Sequence, residues 1–235
     1  MASGLTVVVP AFNEEASLRE AITILLASVG GLGIPLEVVI VDDGSTDGTG
    51  EIAENLAHDV GPVRVVHHGV NQGWGEAVRT GIANAKHEFI VLSPVDNPVT
   101  GPQMVTFLEA LSGADIVIGY RLGRAGYSPW LAFASRCYYF LVKYAFDLPF
   151  RDVNWIHVYR KTVIETIPLR LSGIVFPAEV LAKAHRRGYK IVEVHSEMKA
   201  RTVGRPTVSR PRVMAKAMAD LARLWLEVRR EGRRG

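Results

Sequence analysis

Polar and glycine-rich segments follow four successive β-rich runs of the sequence, and they hold the residues best suited to chemistry. The segments span residues 10–14, 42–47, 67–73 and 93–97. Strand-to-helix turns are often polar because Asn, Asp and Ser cap helices. The doubled Asp42-Asp43 is less ordinary, since two adjacent acids repel each other unless donors from a ligand or a helix terminus offset the repulsion. Four such segments together indicate a ligand site.

The elements that position these segments alternate along the chain. Strands are predicted over residues 5–9, 36–41, 63–67, 88–92 and 115–119, with amphipathic helices over 14–28, 49–57, 75–85 and 103–111. This alternation predicts an α/β fold with a mostly parallel, Rossmann-like sheet flanked by helices. Ligands of such sheets bind beyond the carboxyl ends of the strands, where the four segments lie.

The second half of the sequence is less regular. An aromatic helix is predicted over residues 130–146, a strand over 152–159, a helix over 177–187 and a strand over 189–194. From Arg210 onward, apolar residues recur every three or four positions with Lys and Arg between them. That spacing predicts a basic, amphipathic C-terminal helix.

Composition and charge exclude several classes of protein. The chain has 235 residues, 48% apolar and 22% charged, as in an ordinary folded domain. Cys137 is its only cysteine, which excludes an intrachain disulfide and a Cys-based zinc site and favours a reducing, cytoplasmic compartment. Residues 1–198 carry 16 Lys and Arg against 21 Asp and Glu, a net charge of −5, whereas residues 199–235 carry 11 against 3, a net charge of +8. The basic tail predicts an anionic partner, for which a membrane surface and nucleic acid are the candidates.

No membrane-spanning segment or signal peptide is expected. The most apolar stretch, Trp130 to Phe146, contains Arg136 and Lys143, and a span needs about 20 predominantly apolar residues. The early run Val7-Val8-Val9 is followed at once by polar residues.

Two of the strand-end segments resemble a known family. Val8 to Glu15 and Val39 to Thr49, in this order and spacing, are similar to the opening signature of family 2 glycosyltransferases with the GT-A fold. The similarity covers about residues 5–208 and continues through 71–77, 115–121, Arg136, Asp152 and 201–207. These later segments resemble the branch that contains dolichol-phosphate mannose synthase and bacterial polyprenyl-phosphate glycosyltransferases.

The resemblance implies an enzyme of the hexosyltransferase class. It would transfer a sugar from a GDP- or UDP-linked donor to a polyprenyl phosphate, with inversion of configuration at the anomeric carbon. The resemblance also implies a GT-A domain over residues 1–208, with a nucleotide-sugar half of about 1–120 and an acceptor half of about 121–208. Residues 209–235 are then a separate basic helix. The nucleotide sugar is expected to contact Pro10, Ala11, Asn13, Glu14, Asp42, Asp43, Ser45 and Gly73.

A divalent cation, Mg²⁺ or Mn²⁺, usually stabilises the departing nucleotide diphosphate in this fold through an Asp-x-Asp motif. Here the corresponding triplet is Pro94-Val95-Asp96, which leaves Asp96 as the expected metal ligand. One carboxylate can suffice, because Mg²⁺ often takes its other ligands from phosphates and water. Pro98 and Trp74 also depart from the family pattern, where Gln and Lys are common.

A lipid phosphate acceptor is already largely ionised at pH 7, so it needs cations to position it and no general base. The resemblance assigns this task to Arg121, Arg136, Arg201 and Arg205. Asp152 is expected either to orient an arginine or to face the acceptor, and Asp96, Arg121 and Asp152 form the expected catalytic group.

The aromatic helix and the basic tail suit peripheral attachment to the cytoplasmic face of a membrane. Nucleic acid is then not expected as a partner. Packing of the tail helix on its own domain, on a membrane partner subunit or on a second copy of the chain is the alternative. Three rival functions stay open, namely a same-fold enzyme with a soluble hydroxyl acceptor, a catalytically silent sugar-nucleotide-binding scaffold, and nucleic-acid binding by the tail alone. His67 and His68 are not expected to share a metal ion, because adjacent strand residues point to opposite faces.

Overall fold

A central β-sheet with helices on both faces organises the chain, in a computed structural model that describes residues 4–96, 98–121, 129–171, 173–196 and 211–231. The strands of the described residues are β1 (Leu5–Ala11), β2 (Leu36–Asp42), β3 (Val63–His67), β4 (Phe89–Leu92), β5 (Ile116–Tyr120), β6 (His157–Arg160) and β7 (Ile191–His195). The helices are α1 (Leu18–Val29), α2 (Thr49–Asp59), α3 (Trp74–Asn84), α4 (Gly101–Leu111), α5 (Pro129–Phe146), α6 (Lys161–Ile164), α7 (Phe176–Arg186) and α8 (Pro211–Glu231).

The sheet has the strand order β3-β2-β1-β4-β6-β5-β7. Only β6 runs antiparallel to its neighbours among the described strands, and the other pairs are parallel. The chain winds from β1 outward to β3, then returns to place β4 on the other side of β1. A crevice opens at such a reversal, beyond the carboxyl ends of the two strands. The fold therefore predicts a ligand site above β1 and β4.

The central strands form because their sequences are almost continuously apolar. All but one residue of β1, and all but one of β2, are buried. Strands covered on both faces need no polar alternation, so such runs are typical of parallel sheets. One core, between the sheet and α1, α2 and α4, includes Phe107 and Met104. The other, which involves α3, α5, α7 and α8, includes Tyr159 and Phe176.

Helix α8 belongs to the second core. It buries one face, consisting of Ala217, Leu221, Leu224 and Val228. A fully buried Lys183 on α7 joins it to the domain, since Nζ donates to Glu179 at 2.7 Å and to Glu227 of α8 at 3.1 Å. A buried charge is tolerated only when it is paired in this way. The C-terminal helix is present as predicted, and it packs on its own domain.

Two of the predicted elements depart from their observed bounds by more than two residues. The strand predicted over residues 152–159 is wrong in its first five positions, because β6 begins only at His157. Asp152 instead closes a turn by accepting a hydrogen bond from the backbone N of Asn154. The helix predicted from residue 14 begins at Leu18, after a turn in which the Glu14 carbonyl accepts from the backbone of Ser17.

Helix α5 matches its predicted range to within one residue. In the part of the chain that the structure describes, no helix is long and apolar enough to cross a membrane.

Candidate functional site

The carboxyl ends of the first strands are aligned by the sheet register. Ala11 of β1 lies opposite Asp42 of β2, and Asp42 lies opposite His67 of β3. The hydrogen bonds continue past the strand ends, since Asp43 N donates to the Ala11 carbonyl and Ser93 N to the Val8 carbonyl, both at 2.9 Å. The strand-end segments predicted to act together therefore lie along one edge of the sheet.

Asp42 is held by groups from its own neighbourhood. Its Oδ1 accepts a hydrogen bond from Ser45 N at 3.1 Å, and its Oδ2 lies 2.9 Å from His67 Nδ1. Burial alone would raise the pKa of Asp42, but the bonds from Ser45 and His67 outweigh it and hold that pKa below its ordinary value. The bond to Asp42 raises the pKa of His67, and Glu54, 2.8 Å from its Nε2, adds to the effect. Asp42 is therefore kept ionised beside a histidine that protonates easily.

Asp43 ties the third strand-end loop to the second. Its Oδ1 lies 2.7 Å from His68 Nδ1 and accepts from Gln72 N at 2.9 Å, while its Oδ2 accepts from Gly73 N at 2.8 Å. The Asp43 carboxylate is almost fully buried. Gly73 has a φ of 94°, a conformation that other residues adopt only with strain. Asp43 thus fixes the start of α3.

Gly44 allows these loops to pack closely. Its φ is 69°, and a Cβ atom at this position would lie 2.4 Å from the carbonyl carbon of Val70. A side chain here would push the backbone of residues 70–71 away from β2. The glycine following the Asp pair is therefore required by both backbone conformation and space.

The first and second strand-end loops are linked in the same manner. Asn13 N donates to Ser45 Oγ at 3.0 Å, and Asn13 Oδ1 accepts from Thr46 N at 2.9 Å. Glu14 N donates to Thr49 Oγ1 at 2.8 Å. Asn13 itself has a φ of 54°, which asparagine tolerates better than most residues. The loops form one hydrogen-bonded rim.

The residues assigned to the nucleotide sugar therefore lie close together, but several of their polar groups already form the hydrogen bonds that join the loops. Pro10 and Ala11 close β1, Ala11 being buried, and Gly73 precedes α3. A carboxylate offers about four acceptor positions. Asp43 uses most of this capacity in three bonds to the rim, whereas Asp42 takes part in two and keeps more of it free for a ligand.

Asp96 lies in an exposed turn four residues beyond β4. Because β4 pairs with β1, this turn borders the crevice at the point where the strand order reverses. Within the described residues, no group of three or more His, Cys, Asp or Glu side chains could hold a metal ion. A cation here would depend on Asp96 together with ligands brought by a substrate.

Arg121, at the end of β5, forms a buried ion pair with Asp152. Arg121 Nε and the Asp152 Oδ2 are 2.7 Å apart, and a second bond of 3.1 Å joins Nη2 to Oδ1. Both side chains are only about one-twentieth exposed, at 5% and 6%. The Arg121 guanidinium also lies over the Trp155 ring, 4.6 Å from its centre. The resemblance predicts that Arg121 faces a phosphate and that Asp152 either orients an arginine or faces the acceptor. The structure pairs the two side chains, and their roles in the reaction stay predictions.

The remaining predicted arginines are distributed differently. Arg136 is exposed on α5, and it forms no hydrogen bond or ion pair within the described ranges. Arg201 and Arg205 lie outside the described residues.

Three histidines contribute to this region in ways that the sequence did not predict. His67 contacts Asp42 and His68 contacts Asp43, so the two adjacent rings hold different aspartates at the end of β2. The sequence does place both histidines at the carboxyl end of β3, the strand that follows Asp42-Asp43, and this position could have indicated the contact. His157 is completely buried, its Nδ1 lies 2.9 Å from the Tyr159 hydroxyl, and its Nε2 has no partner within the described chain. Burial lowers the pKa of His157 to about 4, so the ring is neutral at pH 7.

Comparison with known proteins defines the class. Residues 6–153, more than half of the chain, match the model of the glycosyl transferase family 2. The chain belongs to this family, and it is a glycosyltransferase with the GT-A fold.

The similar proteins include two mycobacterial relatives. An uncharacterized glycosyltransferase of Mycobacterium tuberculosis is 29% identical over 212 residues, which cover 87% of this chain and 89% of the relative. A counterpart from Mycobacterium bovis matches to the same extent.

Solved structures share the fold. Glucosyl-3-phosphoglycerate synthase from Mycobacterium tuberculosis, in complex with Mn²⁺, UDP and phosphoglyceric acid, superposes with a TM-score of 0.72 at 21% identity. The match covers 95% of this chain and 78% of that one. The same enzyme with UDP-glucose bound gives a TM-score of 0.71. The finer resemblance to the dolichol-phosphate mannose synthase branch stays a prediction.

Proposed function

We propose that this glycosyltransferase moves a sugar, with inversion, from a nucleotide diphosphate sugar to a polyprenyl phosphate. We choose this acceptor because Asp152 is already engaged in an ion pair with Arg121. Asp152 accepts two bonds from the guanidinium and one from Asn154 N, and it is buried. Such a carboxylate is not placed to remove a proton, whereas a phosphate acceptor arrives ionised and needs no base.

The donor would lie over the rim formed by the first three strand-end loops. Pro10, Ala11 and Asn13 would border the nucleoside on the β1 side, with Ser45 and Asp42 beside them. Glu14, Asp43 and Gly73 would shape the site through the backbone bonds of the rim. Relatives of the same fold that bind UDP and UDP-glucose support a nucleotide sugar, with uridine as the first base to test.

Asp96 would hold a divalent cation together with the donor diphosphate. An exposed carboxylate suits Mg²⁺ or Mn²⁺, which accept oxygen ligands and commonly take several from phosphates and water. The cation, when bound, would neutralise charge on the departing diphosphate. Mn²⁺ in the solved relative supports this assignment.

The acceptor phosphate would meet arginines on the other side of the crevice. Arg136 is exposed and suited to it, because guanidinium binds phosphate through two parallel bonds. Arg201 and Arg205 are proposed to complete the set. Arg121 would act with Asp152 by holding the turn that precedes β6.

A soluble acceptor with a free hydroxyl is the second candidate. The solved relative in complex with phosphoglyceric acid favours it, since that enzyme works on a small soluble molecule. At 21% identity this likeness shows the fold, so the acceptor has to be measured.

A transfer assay tests both candidates. Radiolabelled UDP- and GDP-hexoses with Mn²⁺ or Mg²⁺ would be offered either a short-chain polyprenyl phosphate or 3-phosphoglycerate. We expect label in the polyprenyl product, whereas label in phosphoglycerate alone would establish the second candidate. Asp96→Asn should reduce transfer by about a hundredfold or more, as loss of a metal-stabilised charge implies. Asp59→Asn, an exposed acid at the end of α2, is the matched control and should transfer normally.

A further inference from the structure

One face of α5 is an exposed row of large apolar side chains. Trp130, Phe133 and Tyr144 are 71%, 60% and 77% exposed, and Phe140 and Leu141 are about two-fifths exposed. Cys137 is exposed as well. At 3.6 residues per turn these six positions fall within an arc of about 100°. We name this row the α5 face.

The α5 face is separate from the side of the helix that holds it to the protein. Val142, on the far side of α5, is fully buried in the core. Along the face the rings contact one another, since Trp130 lies 5.9 Å from Phe133 and Phe140 stacks on Tyr144 at 6.1 Å. An exposed apolar patch of this kind is typical of an interaction surface.

The charge beside this row indicates what it meets. Arg136 and Lys143, seven residues apart, lie along one edge of the α5 face, and α5 contains no acidic residue. A second copy of the same face would bring these cations together without a neutralising carboxylate. Anionic headgroups would neutralise them, and Trp and Tyr are enriched where apolar and polar regions of a bilayer meet.

We propose that the α5 face docks on an anionic phospholipid surface, with Trp130, Phe133, Phe140 and Tyr144 at the level of the headgroups. When no acceptor is bound, Arg136 and Lys143 would both contact lipid phosphates along one edge. The proposal fits a polyprenyl acceptor but does not depend on it, because docking requires neither donor nor acceptor.

The only cysteine of the chain gives a direct test. Cys137 lies in the middle of the α5 face, so the full chain labelled there with an environment-sensitive thiol dye reports whether the face leaves water. Vesicles of phosphatidylcholine with phosphatidylglycerol would be compared with phosphatidylcholine alone, in the absence of any sugar donor or polyprenyl phosphate. We expect a blue shift with the anionic vesicles and half-saturation at about tenfold lower lipid than with the neutral ones.

A matched pair of variants assigns the effect to this face. Trp130→Ser combined with Tyr144→Ser should raise the lipid needed for half-saturation by about tenfold. Ile24→Ser, which removes an exposed apolar side chain from α1 on the other side of the sheet, should leave it unchanged.

Two outcomes would overturn the proposal. One is an emission spectrum that anionic vesicles do not alter. The other is a blue shift that grows with protein concentration and ignores lipid, which would identify a second copy as the occupant. Failure of sugar transfer with every acceptor, while vesicle binding persists, would refute the proposed function and leave the docking surface standing.

Discussion

Asp43 and Gly73, thirty residues apart, are joined by a 2.8 Å hydrogen bond from the Gly73 backbone N to Asp43 Oδ2. The same carboxylate accepts from Gln72 N and pairs with His68. A single buried side chain therefore determines where the loop before α3 lies relative to β2.

Removing that carboxylate should destabilise the fold. Asp43→Ala leaves the N–H groups of Gln72 and Gly73 and the His68 ring without their acceptor, at about 1 to 3 kcal/mol for each group left unsatisfied. Since three groups lose their acceptor, we expect the free energy of unfolding, measured with urea, to fall by about 3 kcal/mol or more. Asp59→Ala, at an exposed pair, should change it by less than about 0.5 kcal/mol. Equal losses in the two variants would show that the Asp43 bonds do not hold the loop.

Gly44 and Gly33 form a natural control pair, because both have a φ of 69°. An added Cβ at Gly33 meets nothing within 4 Å, whereas at Gly44 it meets the Val70 backbone at 2.4 Å. Gly33→Ala should therefore cost only the backbone strain, about 1 to 2 kcal/mol. Gly44→Ala should cost about 1 to 3 kcal/mol more through overpacking. Thermal melts of the two variants measure the difference, and matching melting temperatures would mean that the loop at residue 70 yields without cost.

The buried pair of Arg121 and Asp152 should show strong coupling. Arg121→Met alone leaves Asp152 buried without its partner, and loss of one member of such a pair costs about 3 to 5 kcal/mol. Asp152→Leu alone should cost a similar amount. The double variant should be less destabilised than the sum of the two by at least about 2 kcal/mol. A double-mutant cycle in urea measures this quantity, and additive single losses would argue that the pair is not an energetic unit.

His157 should make the fold sensitive to acid. Burial lowers its pKa from 6.5 to about 4. Between these values the unfolded chain binds the proton and the folded chain does not, so stability falls as pH is lowered through this window. The loss attributable to His157 is about 3 kcal/mol at pH 4 relative to pH 7.

The test compares pH profiles rather than absolute stabilities. His157→Asn keeps a polar atom near the Tyr159 hydroxyl and removes the titrating ring. Its stability, followed from pH 7 to pH 4, should decline by about 3 kcal/mol less than that of the unmodified chain. Parallel profiles would show that the ring is protonated in the folded state without penalty.

The first half of the fold could be predicted from sequence because its determinants are local. Near-continuous apolar runs specify buried strands, and the polar segments after them specify the turns, as at Asp42-Asp43 and at Pro10 to Glu14. Helix α5 was equally predictable from its length and composition.

The pairings within the site depend on contacts between distant segments. His67 meets Asp42 because β2 and β3 pair in a particular register, and the sequence of either strand alone does not specify that register. Arg121 and Asp152 are 31 positions apart and meet only after β6 inserts between β4 and β5. The apolar residues near Val153 and Trp155 resemble a strand, but a turn held by Asp152 occupies that place.

The burial of α8 bears on when this protein can fold. The core on the α7 side is closed by Leu224 and Val228, and Lys183 lacks one of its two carboxylate partners until Glu227 has been made. On the ribosome, β1 to β4 and their helices can be assembled early. The α7 side stays open to water until the chain as far as residue 228 has left the exit tunnel. The α7 side therefore cannot close before α8 has been made, and until then the unfinished side is the surface on which a chaperone would act.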